Sequence, residues 1–327
     1  MTAAAGERTR TSPMAHALDR RVTILSLGAV AVIVGWAWFD RAGLESVSPI
    51  VAAVGIIVGV PHGAMDHLVP GLASRRWQEP RRLALVVAVY VVIAAVASLA
   101  TLRAPDLSFA TFLVVSALHF GWAETTYAAE RSGRVVPRLR DGWWRTLAHG
   151  SVVVVLPLWS VEGRSAMRPL LPSLVDWVSA VPTQWATTTV VVMCAASAVH
   201  LASRGRVLEA AELLAVLTLF LFVPIFAAFG VYFGLWHALR HTARLMDALA
   251  AGQPIRLQLG AFLRAAALPT TAAFIVLAVL FAYRSDVGVV MTGVSVLLAL
   301  TFPHVVVVAV LDHHRRIAPT TPTASTA

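Results

Sequence analysis

The chain has 327 residues, is 58% hydrophobic and 13% charged, and has a mean hydropathy of +0.76. A soluble globule of this length cannot hide so much apolar surface, so the composition excludes one and calls for a lipid solvent. All 26 basic residues are arginine. Without a lysine amine, a retinal Schiff base of the opsin kind is excluded.

Residues 1–21 are polar and read as a disordered cytoplasmic tail. The apolar run 22–39 follows Arg20-Arg21 and ends without a small-residue cleavage site, so it reads as a first span rather than a removed signal peptide. Further runs of spanning length lie at 47–70, 83–102, 107–129, 145–161, 185–203, 207–223, 225–246, 259–283 and 287–311. Only Pro224 separates the seventh run from the eighth, as a tight hairpin or a broken helix. The expected fold class is therefore all-α: a polytopic bundle of ten spans, forming one transmembrane catalytic domain over 22–314 before a disordered tail at 315–327. The short alternating strands of a membrane barrel are missing. Cys194 is the only cysteine and sits in an apolar run, so neither a disulfide framework nor a thiolate metal site is available.

The arginines test this count. With both termini cytoplasmic, 21 of the 26 fall in cytoplasmic segments or adjacent helix ends. Only Arg41, Arg103, Arg164, Arg168 and Arg284 lie on the other side. That asymmetry is what the positive-inside rule demands of a multi-pass protein of the inner cell membrane. It accounts for the net charge of +9 without a nucleic-acid partner.

Four histidines interrupt the apolar runs: His62, His119, His237 and His241. All fall on even-numbered spans, which run in one direction, and their depths from the outer ends agree within about 6 Å at about 1.5 Å per residue. His237 and His241 are four residues apart, hence on one helical face. Ionisable groups inside spans are functional candidates, and neutral imidazole is the commonest protein metal ligand. Pro61 and Gly63 flank His62, and Gly121 follows His119, which loosens the helix and admits close backbone approach.

Asp66 and Glu124, four and five residues after a histidine, are expected to accept an imidazole N–H and so orient the ring, rather than to bind metal. His304, in Phe302-Pro303-His304, is the reserve ligand. His67 lies on a different face from His62. His149 and His200 sit near span ends, where solvated or structural roles fit. His313 and His314 form an interfacial flank beside Arg315 and Arg316, and His16 lies in the tail. Trp122, Tyr232, Phe233 and Trp236 flank the histidines and would suit the lining for a long conjugated substrate, although helix packing explains them nearly as well. No Walker loop, dinucleotide fingerprint or nucleophile triad is present.

The motifs Pro61-His62-Gly63-Ala64-Met65-Asp66-His67, His119-Phe120-Gly121-Trp122-Ala123-Glu124 and His237-Ala238-Leu239-Arg240-His241, in this order and spacing, resemble the Brp/Blh family of bacterial and archaeal membrane β-carotene 15,15′-dioxygenases. The resemblance runs from the second span to the tenth. It implies cleavage of β-carotene by O2 at its central double bond, retinal as product and a retinal-binding opsin as recipient. It also implies non-haem Fe(II) held by His62, His119, His237 and His241. Four neutral imidazoles suit ferrous iron independently, and leave up to two octahedral positions for O2 and the alkene edge.

Two other readings stay open. A membrane di-iron hydroxylase or desaturase also uses histidines four apart, but many more of them, and only the 237/241 pair has that spacing here. A metal or proton transporter would relay through buried histidines. The nearly uncharged spans, without an acidic ladder, weigh against it.

Overall fold

The computed structural model describes residues 13–73, 79–169, 171–250, 252–283 and 289–317, and all regular structure among them is helical. In chain order the elements are α1 (Pro13–Phe39), α2 (Arg41–Ala64), a 3-10 turn (Asp66–Leu68), α3 (Val69–Ala73), α4 (Pro80–Arg103) and α5 (Pro105–Arg131). Then come α6 (Leu139–Trp159), α7 (Val161–Met167), α8 (Pro172–Ser179), α9 (Thr183–Ser203) and α10 (Val207–Phe222). The chain finishes with α11 (Ile225–Gly230), a π-helical segment (Val231–His237), α12 (Ala238–Leu249), α13 (Ile255–Tyr283) and α14 (Val289–Ile317).

Local chemistry sets these boundaries. Pro80, Pro105 and Pro172 open α4, α5 and α8, where a missing N–H costs nothing and the fixed φ suits the first turn. Asp40 caps α2 by accepting from the Gly43 N–H at 2.8 Å. Pro224 separates α10 from α11.

Among the described residues, each of the ten predicted apolar runs coincides with helix, but the count of crossings differs. Seven helical segments among these residues are long and apolar enough to span a membrane, and an eighth if α6 and α7, bent by 70° at Ser160, count as one. The protein is therefore a helical membrane protein. With 16 residues, α10 extends about 24 Å, short of a hydrocarbon core of roughly 30 Å. The 225–249 stretch is interrupted by the π segment and carries two histidines and two arginines. The short helices α7 and α8 have no counterpart in the sequence reading. At the ends, α1 begins at Pro13 and α14 runs to Ile317, so parts of both expected tails are helical. The remaining tail residues, 1–12 and 318–327, and the side chains of His16 and His314 lie outside the described residues.

Close backbone packing positions the histidine helices. A Cβ on Gly55 would stand 2.1 Å from the Gly230 carbonyl oxygen, so α2 and α11 touch main chain to main chain. A Cβ on Gly121 would stand 1.8 Å from the Thr146 oxygen, so α5 and α6 do the same two residues from His119. Small residues at such crossings are how helices in lipid gain contact, since burial from water drives nothing there. The main core gathers side chains from α1, α2, α6, α9, α10, α11 and the π segment, with Leu44, Val152, Cys194, Val216, Tyr232 and Trp236 fully enclosed.

Candidate metal centre

Five buried histidines from four regions of the chain meet at one place. His62 comes from α2, His119 from α5, His304 from α14, His237 from the end of the π segment and His241 from α12. Neighbouring ring centroids lie 5.4 Å apart for His62–His237, 5.1 Å for His237–His119, 5.0 Å for His119–His304 and 5.1 Å for His304–His62. These four contacts close a ring, and each is edge-on. His241 packs on the side of this ring, 5.5 Å from His62 and 5.6 Å from His304. The ligand nitrogens of His62, His237 and His304 all lie within 4.8 Å of one another. All four expected histidines pack into the cluster, but the set whose ligand nitrogens lie within 4.8 Å pairs only two of them, His62 and His237, with the reserve residue His304.

Tautomers follow from the partners. A carbonyl oxygen only accepts, so the His62 Nδ1 donates to Gly59 and its Nε2 keeps a lone pair. The His304 Nδ1 donates to both oxygens of the Asp66 carboxylate at 2.9 Å, leaving its Nε2 free to bind. The Nε2 atoms of His119, His241 and His304 are buried without a hydrogen-bond partner. Each unsatisfied buried acceptor or donor costs about 1–3 kcal/mol. A metal ion among them would remove that cost, and an all-imidazole set suits a transition metal such as iron, zinc or copper. The residues fit such an ion.

The ring faces a cavity of about 680 Å³ between α2, α4, α5, α13 and α14. His62, His119, His237 and His304 line one part of it, with Phe120 and Phe233 beside them. Val91, Leu268 and Leu300 line the rest and are also exposed on the outer surface, Leu268 at 80%. The cavity thus opens sideways through the apolar, lipid-facing surface. Asp66, His67, Tyr90, Arg264 and Thr301 add its few other polar groups. Sequence reasoning missed Tyr90 and Arg264, although each is a polar residue within an apolar helix.

Three of the four aromatic residues expected to line a substrate path are elsewhere. Only Phe233 reaches the cavity. The Tyr232 hydroxyl lies 3.1 Å from His149 Nε2 instead. Trp236 is stacked against the Arg240 guanidinium at 4.0 Å. The Trp122 Nε1 donates to Asp312 at 3.0 Å, tying α5 to α14. His149 is buried against Tyr232, whereas His200 is exposed and rests its ring 4.7 Å from that of Trp144.

Glu124 also departs from expectation. It accepts from Arg240, not from an imidazole. Arg240 in turn donates to Glu212 at 2.8 Å, and Arg131 holds Glu212 through two further bonds at 2.5 and 2.9 Å. One turn on, Arg244 makes a bidentate pair with Glu130 at 2.8 Å and reaches Asp312 at 2.5 Å. Arg134, Arg145 and Arg206 converge on Glu209. The helices are thus not nearly uncharged: Glu124, Glu130, Glu209, Glu212 and Asp312 lie in or beside the bundle, each held by arginine. Arg240 and Arg244 lock α12 to α5, α10 and α14, which sets the rotation of the His237/His241 face. Charge-assisted bidentate pairs hold geometry well. Breaking a buried pair costs about 3–5 kcal/mol.

Fold and site together define a helical membrane protein with a buried polyhistidine centre that faces a lipid-accessible cavity. The chain belongs to the beta-carotene 15,15'-dioxygenase family, an oxygenase family whose model matches residues 53–312. It is 27% identical over 338 residues to a protein of Halobacterium salinarum described as a probable beta-carotene 15,15'-dioxygenase Blh, with 88% of this chain and 93% of that one covered. It is 25% identical over 205 residues to a beta-carotene 15,15'-dioxygenase of uncultured marine bacterium 66A03, with 61% and 70% covered. No solved structure matches the chain.

Proposed function

We propose that this chain cleaves β-carotene at its central 15,15′ double bond with O2, giving two molecules of all-trans-retinal. A single ferrous ion held by His62, His119, His237 and His241 is the cofactor. The observation that carries the reading is a histidine cluster opening onto an apolar, lipid-facing cavity. Family membership and the names of the two relatives support the substrate and the reaction class.

Iron bound there supplies activation of O2 toward an alkene, chemistry that needs no protein acid, base or nucleophile. The side chains do the rest. Gly59 holds the His62 Nδ1 proton and Asp66 that of His304, so the free nitrogens face inward. Glu124 acts at one remove, through Arg240 and the rotation of α12. Val91, Leu268 and Leu300 hold the polyene by apolar contact, while Phe120 and Phe233 keep water from the reacting carbons. A bilayer-dissolved substrate enters sideways between α4, α13 and α14, and retinal leaves by the same route toward a retinal-binding opsin.

The arginine distribution supports ten crossings in the inner cell membrane with both termini cytoplasmic. On this reading α10 and the 225–249 stretch cross inside the bundle, where neighbouring helices satisfy their polar groups. Reporter fusions after Arg140 and at the C-terminus should both read cytoplasm. A periplasmic signal at either overturns the topology.

Expression in bacteria that accumulate β-carotene tests the reaction. Pigment loss is expected together with retinal as the only carotenoid-derived aldehyde. Hydroxylated C40 pigment would instead favour a di-iron hydroxylase, and intact pigment a transporter.

A further inference from the structure

We infer that His304 is a fifth ligand of the metal centre, held in place by Asp66 and Tyr90, so that the wall of the substrate cavity is mechanically joined to the metal. The inference rests on the reading that this centre binds a metal ion.

Geometry carries the first step. Without His304 the ring of imidazoles is open between His119 and His62, while with it the contacts close at 5.0 and 5.1 Å. His304 also joins His62 and His237 in the set whose ligand nitrogens lie within 4.8 Å of one another, with the His119 and His241 rings packed against it. Chemistry carries the second. A carboxylate accepts and cannot donate, so Asp66 fixes the His304 proton on Nδ1. That leaves Nε2 with a lone pair, buried, and without a hydrogen-bond partner. A carboxylate on one ring nitrogen and a vacant lone pair on the other is the arrangement by which proteins orient metal-binding histidines.

Asp66 is itself placed with care. Helix α2 stops at Ala64, and the 3-10 turn swings Asp66 toward α14 rather than along the His62 face. The carboxylate is 2% exposed and takes a second bond from the Tyr90 hydroxyl at 3.1 Å. Tyr90 lines the cavity. Asp66 and His304 line the cavity as well, so the wall itself carries the bonded line Tyr90, Asp66, His304 to the metal. Asp66 and Tyr90 are positioning residues, because neither reaches the centre. With five imidazoles, an octahedral ion keeps one open position rather than two, and the polyene is held by the cavity wall alone.

The test uses the purified full-length protein loaded anaerobically with Fe(II). X-ray absorption counts imidazoles around the metal, and chelator competition measures affinity. We expect five imidazoles in the wild type and four in His304→Ala, with added imidazole restoring the fifth through the cavity. Affinity should fall about 10- to 100-fold in Asp66→Asn and less in Tyr90→Phe, with the largest loss in His304→Ala. Four imidazoles in the wild type overturn the fifth ligand, whether or not His304→Ala folds. If that four-imidazole protein still makes retinal, the functional reading stands while this inference fails. A wild-type protein that binds no Fe(II) overturns both.

Discussion

The Nδ1 of His304 lies 2.9 Å from both carboxylate oxygens of Asp66, although 238 residues separate them in sequence. This bond joins α14 to the end of α2 directly beside the imidazole cluster. It also separates two roles. Asp66 bonds a histidine of the cluster, whereas Glu124, a similarly buried carboxylate, bonds Arg240 of α12.

Single replacement of His62, His119, His237 or His241 by Ala is expected to remove iron and turnover together, while the chain still inserts into the membrane. Iron content and retinal yield in purified variants measure this. Wild-type values in any two of the four contradict the ligand assignment.

Asp66→Asn and Glu124→Gln should fail in different ways. The first weakens metal binding about 10- to 100-fold, with little change in thermal midpoint. The second disrupts a buried ion pair, which costs on the order of 3 kcal/mol, and should lower the thermal midpoint before it lowers iron content. Loss of iron from Glu124→Gln at an unchanged midpoint would make Glu124 a direct partner of the centre.

Gly121→Val places side-chain atoms where the Thr146 carbonyl already stands, and overpacking of this kind costs about 1–3 kcal/mol. Because His119 is two residues away, iron affinity should fall as well. Gly28→Val, at a site with nothing within 4 Å, is the control and should leave both unchanged. Equal behaviour of the two variants speaks against close α5–α6 packing as a determinant of the site.

Filling the cavity should separate substrate from metal. Leu268→Trp and Ala273→Trp enlarge side chains that line it from α13, a helix that carries no histidine. Carotene cleavage is expected to drop at least tenfold in kcat/KM with iron content unchanged. Full activity in both variants would mean the polyene enters elsewhere.

What the sequence reveals and conceals has physical reasons. Apolar runs of spanning length mark helices because bilayer thickness dictates them, and all ten coincide with helix among the described residues. Histidines inside such runs are conspicuous because lipid penalises them. Facing directions are harder to read. Between Val231 and His237 the helix takes the wider π form, whose i to i+5 bonding shifts every later residue around the axis. That turn sends Tyr232 and Trp236 toward His149 and Arg240 while Phe233 reaches the cavity. A regular 3.6-residue period cannot foresee this. Glu124 and Arg240 are 116 residues apart, so their pairing is decided by tertiary packing alone. The buried arginine–carboxylate layer was hidden for a related reason, since its arginines read equally well as a cytoplasmic flank.

The most direct test measures iron and product together on the purified protein supplied with β-carotene and O2. The account predicts one iron per chain and two molecules of retinal for each β-carotene consumed. Two irons per chain, a hydroxylated C40 product, or apocarotenals of unequal length would contradict it.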